Sequence, residues 1–201
     1  RGRTVAEWGE PDRADMTFSV TKSFLAALTG VALGDGLIRS LDDRMGDYAL
    51  DEGFESEQNR TITWRQLLQQ TSEWSGWLWD KPDQVDHFRS IGKVTEKVGT
   101  DGGVRKGEPR ELAAPGTFWE YNDVRVNRLS LSLMQVFRRP LPEVLADRVM
   151  TPLGASNTWA WHAYRNAHFN IDGTDMASVP GGGHWGGGLF LTCLRFENVA
   201  Q

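Results

Sequence analysis

The apolar run Phe24-Leu25-Ala26-Ala27-Leu28 directly follows Ser19-Val20-Thr21-Lys22, and Gly34-Asp35-Gly36 closes the stretch. This pattern predicts a helix from about Ser19 to about Leu33, ended by glycine. A serine and a lysine three residues apart on such a helix differ by about 4.5 Å of rise and about 60° of rotation, so hydroxyl and amine are neighbours. A partly desolvated lysine that loses its proton can accept the serine proton and create a nucleophile. The plainer alternative makes Ser19 an N-cap and Lys22 a solvated first-turn residue. The spacing recurs at Ser90-Ile91-Gly92-Lys93, but that copy lies among Gly92, Glu96, Lys97 and Gly99 with no apolar stripe behind it. Context selects the first copy.

The partner that favours a nucleophile over a cap is Pro115-Gly116-Thr117-Phe118-Trp119-Glu120-Tyr121-Asn122-Asp123. Together with Phe18–Phe24 it resembles the serine β-lactamase-like, penicillin-binding-protein-like family. That family includes class C β-lactamases, DD-peptidases, esterases and nylon-oligomer-type amide hydrolases. Further matches follow in the family's order: Gly36-Leu37-Ile38 with Leu41-Asp42-Asp43, then Ile62-Thr63-Trp64 through Thr71-Ser72, then Pro152-Leu153-Gly154-Ala155, then Gly187-Gly188-Leu189. These matches, in one order over residues 16–192, are together far more specific than any one of them.

The resemblance implies an α+β, β-lactamase/DD-peptidase-like fold, truncated at both ends. The helical part would dominate, with most of the antiparallel sheet missing. It implies Ser19 as nucleophile, with Lys22 and Tyr121 handling its proton, and an acyl-enzyme on an amide, ester or β-lactam carbonyl. One oxyanion donor would be the Ser19 N–H; the second would come from the strand carrying the family's third motif. The competing expectation is a truncated or penicillin-recognising module that is acylated without turnover.

Three departures from the pattern matter. Asp123 stands where the family's Tyr-x-Asn carries its amide, and a carboxylate there would hold the Lys22 proton more firmly. Gln70 and Glu73 replace a common His and Gly and read as structural. No third motif follows Gly187-Gly188-Leu189 before Gln201. His184-Trp185-Gly186 matches it in letters but precedes that element, so His184 reads as part of a glycine-rich active-site loop.

A chain of 201 residues, 39% hydrophobic and 24% charged, suffices for one core. The single domain 1–201 would carry an irregular insertion at 74–110 lining the substrate cleft. Net charge of −5 and the lack of a basic block argue against nucleic acid. No run of 18 apolar residues marks a membrane span. The single Cys193 excludes an internal disulfide and leaves the choice between bacterial cytoplasm and periplasm undecided. His87, His162, His168 and His184 lack metal-ligand spacing, and no cofactor is expected. Substrate contacts are expected from Asp123, Trp77, Trp79, His184 and Gly187, and Trp74 is a further candidate for the cleft wall. The partner would be a small-molecule or peptide-like substrate, with oligomeric state undetermined.

Other elements follow from pattern: a strand end at Thr4–Trp8, a short helix at Thr63–Gln69, a long one over Asp123–Phe137 and another over Leu141–Val149. Asp172 and Asp175 flank a turn at Gly173-Thr174. Strand content should be low, with nothing after Gly188 long enough to form rear strands. The Phe24, Leu28 and Val31 face of the first helix should be incompletely covered. Ser90 and Lys93 are predicted to be exposed and without catalytic part; a structure burying Ser90 against a cleft would overturn the choice between the two copies.

Overall fold

The computed structural model describes residues 5–89, 107–182 and 187–192. Among them are seven short strands: β1 (Asp15–Met16), β2 (Trp77–Leu78), β3 (Lys81–Pro82), β4 (Ala160–His162), β5 (His168–Ile171), β6 (Thr174–Ala177) and β7 (Gly188–Leu191). The helices are α1 (Thr21–Gly34), α2 (Trp64–Leu68), α3 (Asp123–Phe137) and α4 (Leu141–Leu145), the last continued by a π turn at Ala146–Met150. Ser90, Lys93 and His184 lie outside the described residues.

The helices form where the apolar spacing places them. Leu25, Leu28 and Ala32 of α1 are fully buried, and α1 packs against α3. Thr63 and Gln66 form a reciprocal capping box at the start of α2, which satisfies two otherwise unpaired N–H groups. Asn122 caps α3 by accepting from the Arg125 N–H at 3.1 Å, and Arg138 ends that helix in the left-handed region at φ 51°.

Helix α3 is the axis of the molecule, buried on every side. Its apolar residues Val126, Leu129, Leu133 and Met134 fill the core, as the periodicity predicts. Its polar side is also buried and, Ser132 apart, its polar groups hold neighbouring loops. Arg125 Nε donates to Trp74 O at 2.9 Å, Asn127 accepts from Gly181 N at 2.9 Å, and Ser130 donates to Val179 O at 2.5 Å. Buried polar groups persist in cores when partnered in this way.

Three antiparallel strands make the largest sheet, in the order β1-β7-β4, with Met16 opposite Phe190 and Trp161 opposite Leu189. Strands β5 and β6 form a hairpin closed by Asp172 and Gly173, both at positive φ, the geometry of a type I′ turn. This corrects the sequence reading in two places. Val5 and Trp8 are almost fully exposed and belong to no strand; the strand leading into the Ser19 turn is β1 instead. The segment after Gly188 does form a strand, because β1 and β4 pair with it on both edges. The uncovered face of α1 is also rotated from the expected one. Leu28 is buried and Phe24 and Val31 are half-buried, while Ser23, Ala26, Ala27, Gly30 and Leu33 face outward.

A buried ionic cluster ties the loops around α3 together. Arg125, 1% exposed, lies 2.6 Å from Glu73, 3.2 Å from Asp83 and 3.2 Å from Glu120. Arg110 adds bonds to Glu73 and Glu120. Burial pushes the Glu73 carboxyl up, but Arg110 and Arg125 outweigh it and hold it below the usual range. Burial likewise raises Asp83, and the bonds from His87 and Gly76 with the Arg125 charge bring it below its usual value. Carboxyls depressed by folding contribute stability above their unfolded pKa, and that contribution is lost as pH falls. Urea unfolding should therefore show stability falling progressively below about pH 4.5, the ordinary glutamate range. Arg125→Ala, which removes the buried cation shared by Glu73, Asp83 and Glu120, should cost about 3–5 kcal/mol at pH 7; a cost within experimental error would contradict the assigned pairing.

Candidate active site

Ser19 is delivered by a 3-10 turn, Phe18–Val20, ahead of α1. Phe18 takes a positive φ of 49°, a backbone state that costs a non-glycine residue energy and clusters at functional sites. Among the bonds that hold the turn, Thr21 Oγ1 donates to Phe18 O at 2.7 Å, and Thr17 N donates to Leu189 O of β7 at 2.8 Å. Ser19 caps nothing. The N-cap of α1 is Val20 and no side chain caps it.

The Ser19 hydroxyl is instead hydrogen-bonded to the Tyr121 hydroxyl. Lys22 Nζ donates to Ser19 Oγ at 3.2 Å, to Asp123 Oδ1 at 2.6 Å and to Gly181 O at 3.4 Å. Three acceptors match the three protons of an ammonium. The Lys22 side chain is 17% exposed and Asp123 only 2%, so the pair is shielded from bulk water. Burial raises the Asp123 carboxyl, but Lys22 and Arg89 together outweigh burial and hold it below the usual range.

Tyr121 is set by its neighbours. Asn122 N donates to Gln70 Oε1 at 3.0 Å, Asn122 Nδ2 donates to Asp83 O at 2.9 Å, and Glu120 N donates to Gln70 O at 3.1 Å. Gln70 and Glu73 are thus structural, and both sit at positive φ, 58° and 50°, the conformation that makes a glycine natural at position 73.

Asp123 therefore joins Ser19, Lys22 and Tyr121 in one cluster, while Trp77, Trp79 and Gly187 have other neighbours and His184 lies outside the described residues. Trp77 is 72% exposed on β2. Trp79 stacks edge-on against Tyr164 at 5.6 Å and lines a cavity of about 390 Å³ with Lys81, Asn127, Arg165 and Asn166. Gly187 is buried, and a Cβ there would lie 2.6 Å from Tyr164. Trp74 is a correction: it is 2% exposed, in the core, donating from Nε1 to Gly53 O at 2.7 Å.

Arg89, Asp86 and Gly181 belong to the site without having been singled out in sequence. Arg89 Nη1 donates to Asp123 Oδ2 at 2.5 Å, and its guanidinium carbon lies 4.9 Å from the Tyr121 ring centroid. Asp86 Oδ2 accepts the Asp123 N–H at 2.8 Å. The only available signal was for Gly181, which begins a glycine run. No group of acidic, His and Cys side chains able to hold a metal occurs among the described residues, and no described helix is long and apolar enough to cross a membrane.

Residues 6–186 match the Beta-lactamase family. The chain belongs to that family. Solved structures share the fold at low identity. A penicillin binding protein from Bacillus halodurans is 20% identical at a TM-score of 0.57, over 92% of this chain and 56% of that one. A D-stereospecific amidohydrolase from Streptomyces sp. is 20% identical at 0.54, over 90% and 58%. A putative 6-aminohexanoate-dimer hydrolase from Bacillus anthracis is 14% identical at 0.56, over 94% and 47%. The chain thus spans roughly half the length of these family structures. No curated protein sequence matches it.

The Gly181 carbonyl reaches Lys22 because Gly181 itself passes against α1 and α3. A Cβ at Gly181 would lie 2.2 Å from Val126 Cγ1 and 2.7 Å from Leu25 Cδ1. Gly181→Ala should cost about 1–3 kcal/mol by overpacking, with partial recovery in Gly181→Ala/Val126→Ala. Thermal melts of both variants check this, and a wild-type melting temperature for Gly181→Ala would refute the close approach.

Proposed function

We propose that this chain carries the nucleophile of a serine hydrolase that acts on amide, ester or β-lactam bonds through an acyl-enzyme on Ser19. The observation that supports the reading best is the Ser19 hydroxyl bonded to Tyr121, with Lys22 3.2 Å away and anchored by Asp123. A nucleophile and a base in hydrogen-bond contact, with the base oriented by a third group, is the arrangement covalent catalysis needs.

In this reading Ser19 Oγ attacks the substrate carbonyl carbon as its proton passes to the Tyr121 oxygen or, once neutral, the Lys22 nitrogen. The carbonyl oxygen becomes an oxyanion that the Ser19 N–H can stabilise. Collapse expels an amine or alcohol, which takes the proton back from the same pair. Water activated by the pair then attacks the ester on Ser19 and frees the acid. Lys22 and Tyr121 thus serve as base in each addition and acid in each collapse.

A second reading, acylation without turnover, draws support from Asp123, a carboxylate paired with Lys22 at 2.6 Å where the family pattern carries an amide. Reaction with a fluorescent penicillin or a fluorophosphonate, followed over time against hydrolysis of an activated ester, separates the two. The hydrolase reading expects a burst followed by steady turnover; a stoichiometric burst alone supports the second. Ser19→Ala should abolish the burst, and Tyr121→Phe should slow acylation by about 10²–10⁴-fold. Labelling that survives Ser19→Ala would exclude both readings.

A further inference from the structure

The Ser19 centre contains a charge conflict and a group that answers it. Lys22 must shed a proton to accept one from Ser19, yet Asp123 Oδ1 lies 2.6 Å from its Nζ. Asp86 adds a second buried carboxylate behind Asp123, bonded to the Asp123 N–H. Two carboxylates packed together on one side of the lysine gather excess negative charge there.

Arg89 occupies the position that relieves this. Its Nη1 is 2.5 Å from Asp123 Oδ2, on the carboxylate oxygen opposite the one Lys22 uses, and 3.5 Å from Asp86 Oδ1. Its side chain is only 16% exposed, so its charge is poorly screened by water. It also lies against the ring of Tyr121, the residue bonded to Ser19.

We propose that Arg89 is a positioning residue that neutralises Asp123, so that the Asp123–Arg89 pair acts toward Lys22 as a neutral acceptor and leaves Lys22 free to exchange its proton with Ser19. The inference rests on the acyl-enzyme reading and extends it.

The groups around Lys22 balance accordingly. Asp123 faces it from α3, Tyr121 from the segment before α3, Ser19 from its own turn, and the Gly181 carbonyl from the glycine run. Asp86 and Arg89 approach Asp123 from the far side, and Tyr164 lies near both carboxylates. Counting the described residues alone, two cations oppose two carboxylates with Arg89 present and Lys22 charged, and loss of the Lys22 proton leaves one excess negative charge. Without Arg89 the same loss leaves two. Burial raises the Asp123 carboxyl, and Lys22 and Arg89 outweigh it and hold it below the usual range. A merely structural Arg89 would hold the segment after residue 86 in place and leave the proton balance unchanged.

The test is the pH dependence of Ser19 acylation by a fluorophosphonate, measured on the intact protein and its variants. Arg89→Gln should move the acid limb to higher pH by about one unit, a roughly tenfold loss of rate at a fixed pH on that limb. Arg89→Lys should keep the limb near its wild-type position. Arg89→Gln/Asp123→Asn should bring it back, because both charges are gone, and Asp123→Asn alone should move it to lower pH. An unmoved limb in Arg89→Gln, a double variant as displaced as the single one, or an unmoved limb in Asp123→Asn would each overturn the proposal. Lysine-Cε NMR provides an arm independent of activity, in which the Lys22 signal should titrate in the same order across the variants. If wild type is not acylated at Ser19, the acyl-enzyme reading falls and the NMR order alone decides the role of Arg89.

Discussion

The ion pair between Lys22 and Asp123 is the contact on which the rest of the site depends. It joins the first turn of α1 to the first residue of α3, the two helices whose packing forms the core. An acidic residue at a helix start is favoured by the exposed N–H groups there, so Asp123 suits its own helix as well as Lys22. Breaking a shielded pair of this kind is costly, because the partner is left charged and unpaired. Lys22 is therefore held within reach of Ser19, and the Tyr121 hydroxyl completes the cluster from the segment that Asp123 ends.

The surrounding structure keeps that contact in place with polar groups that are themselves buried. Gln70 holds the backbone of Glu120 and Asn122, while Asp83 and Asp86 hold Asn122 and Asp123 from below. Arg125 then ties Glu73, Asp83 and Glu120 to the middle of the α3 N-terminal half. A network of this kind is costly to desolvate and returns little net stability. What it provides is a fixed position for Tyr121 and Asp123, the condition for proton transfer over hydrogen-bond distances.

Much of this was legible in the residues. The apolar spacing after Lys22 and after Asp123 marked α1 and α3, and Thr63 with Gln66 marked the cap of α2. Ser19, Lys22, Tyr121 and Asp123 could be named through the family resemblance that their motifs carry, though their approach across α1 and α3 is a tertiary fact. The short strands were harder to read, because a two-residue strand such as Asp15–Met16 carries no alternation and exists only through its partner β7. Trp74 resembled Trp77 and Trp79 in sequence, yet only its indole finds a buried acceptor, at Gly53. Arg89 could not be found at all. Nothing in its neighbours signals that it meets Asp123, since its role comes from a charge placed 34 residues away by the fold.

The central claim is that folding has made Ser19, among the serines of this chain, the one that attacks a carbonyl. Peptide mapping by mass spectrometry after brief exposure to a fluorophosphonate tests it most directly. Cleavage after Arg13 and Lys22 isolates residues 14–22 with Ser19 inside. The account predicts one adduct per chain, on Ser19 in that peptide, and its loss when the protein is unfolded before exposure. An adduct on Ser90 or elsewhere, or equal labelling of the folded and unfolded chain, would contradict it.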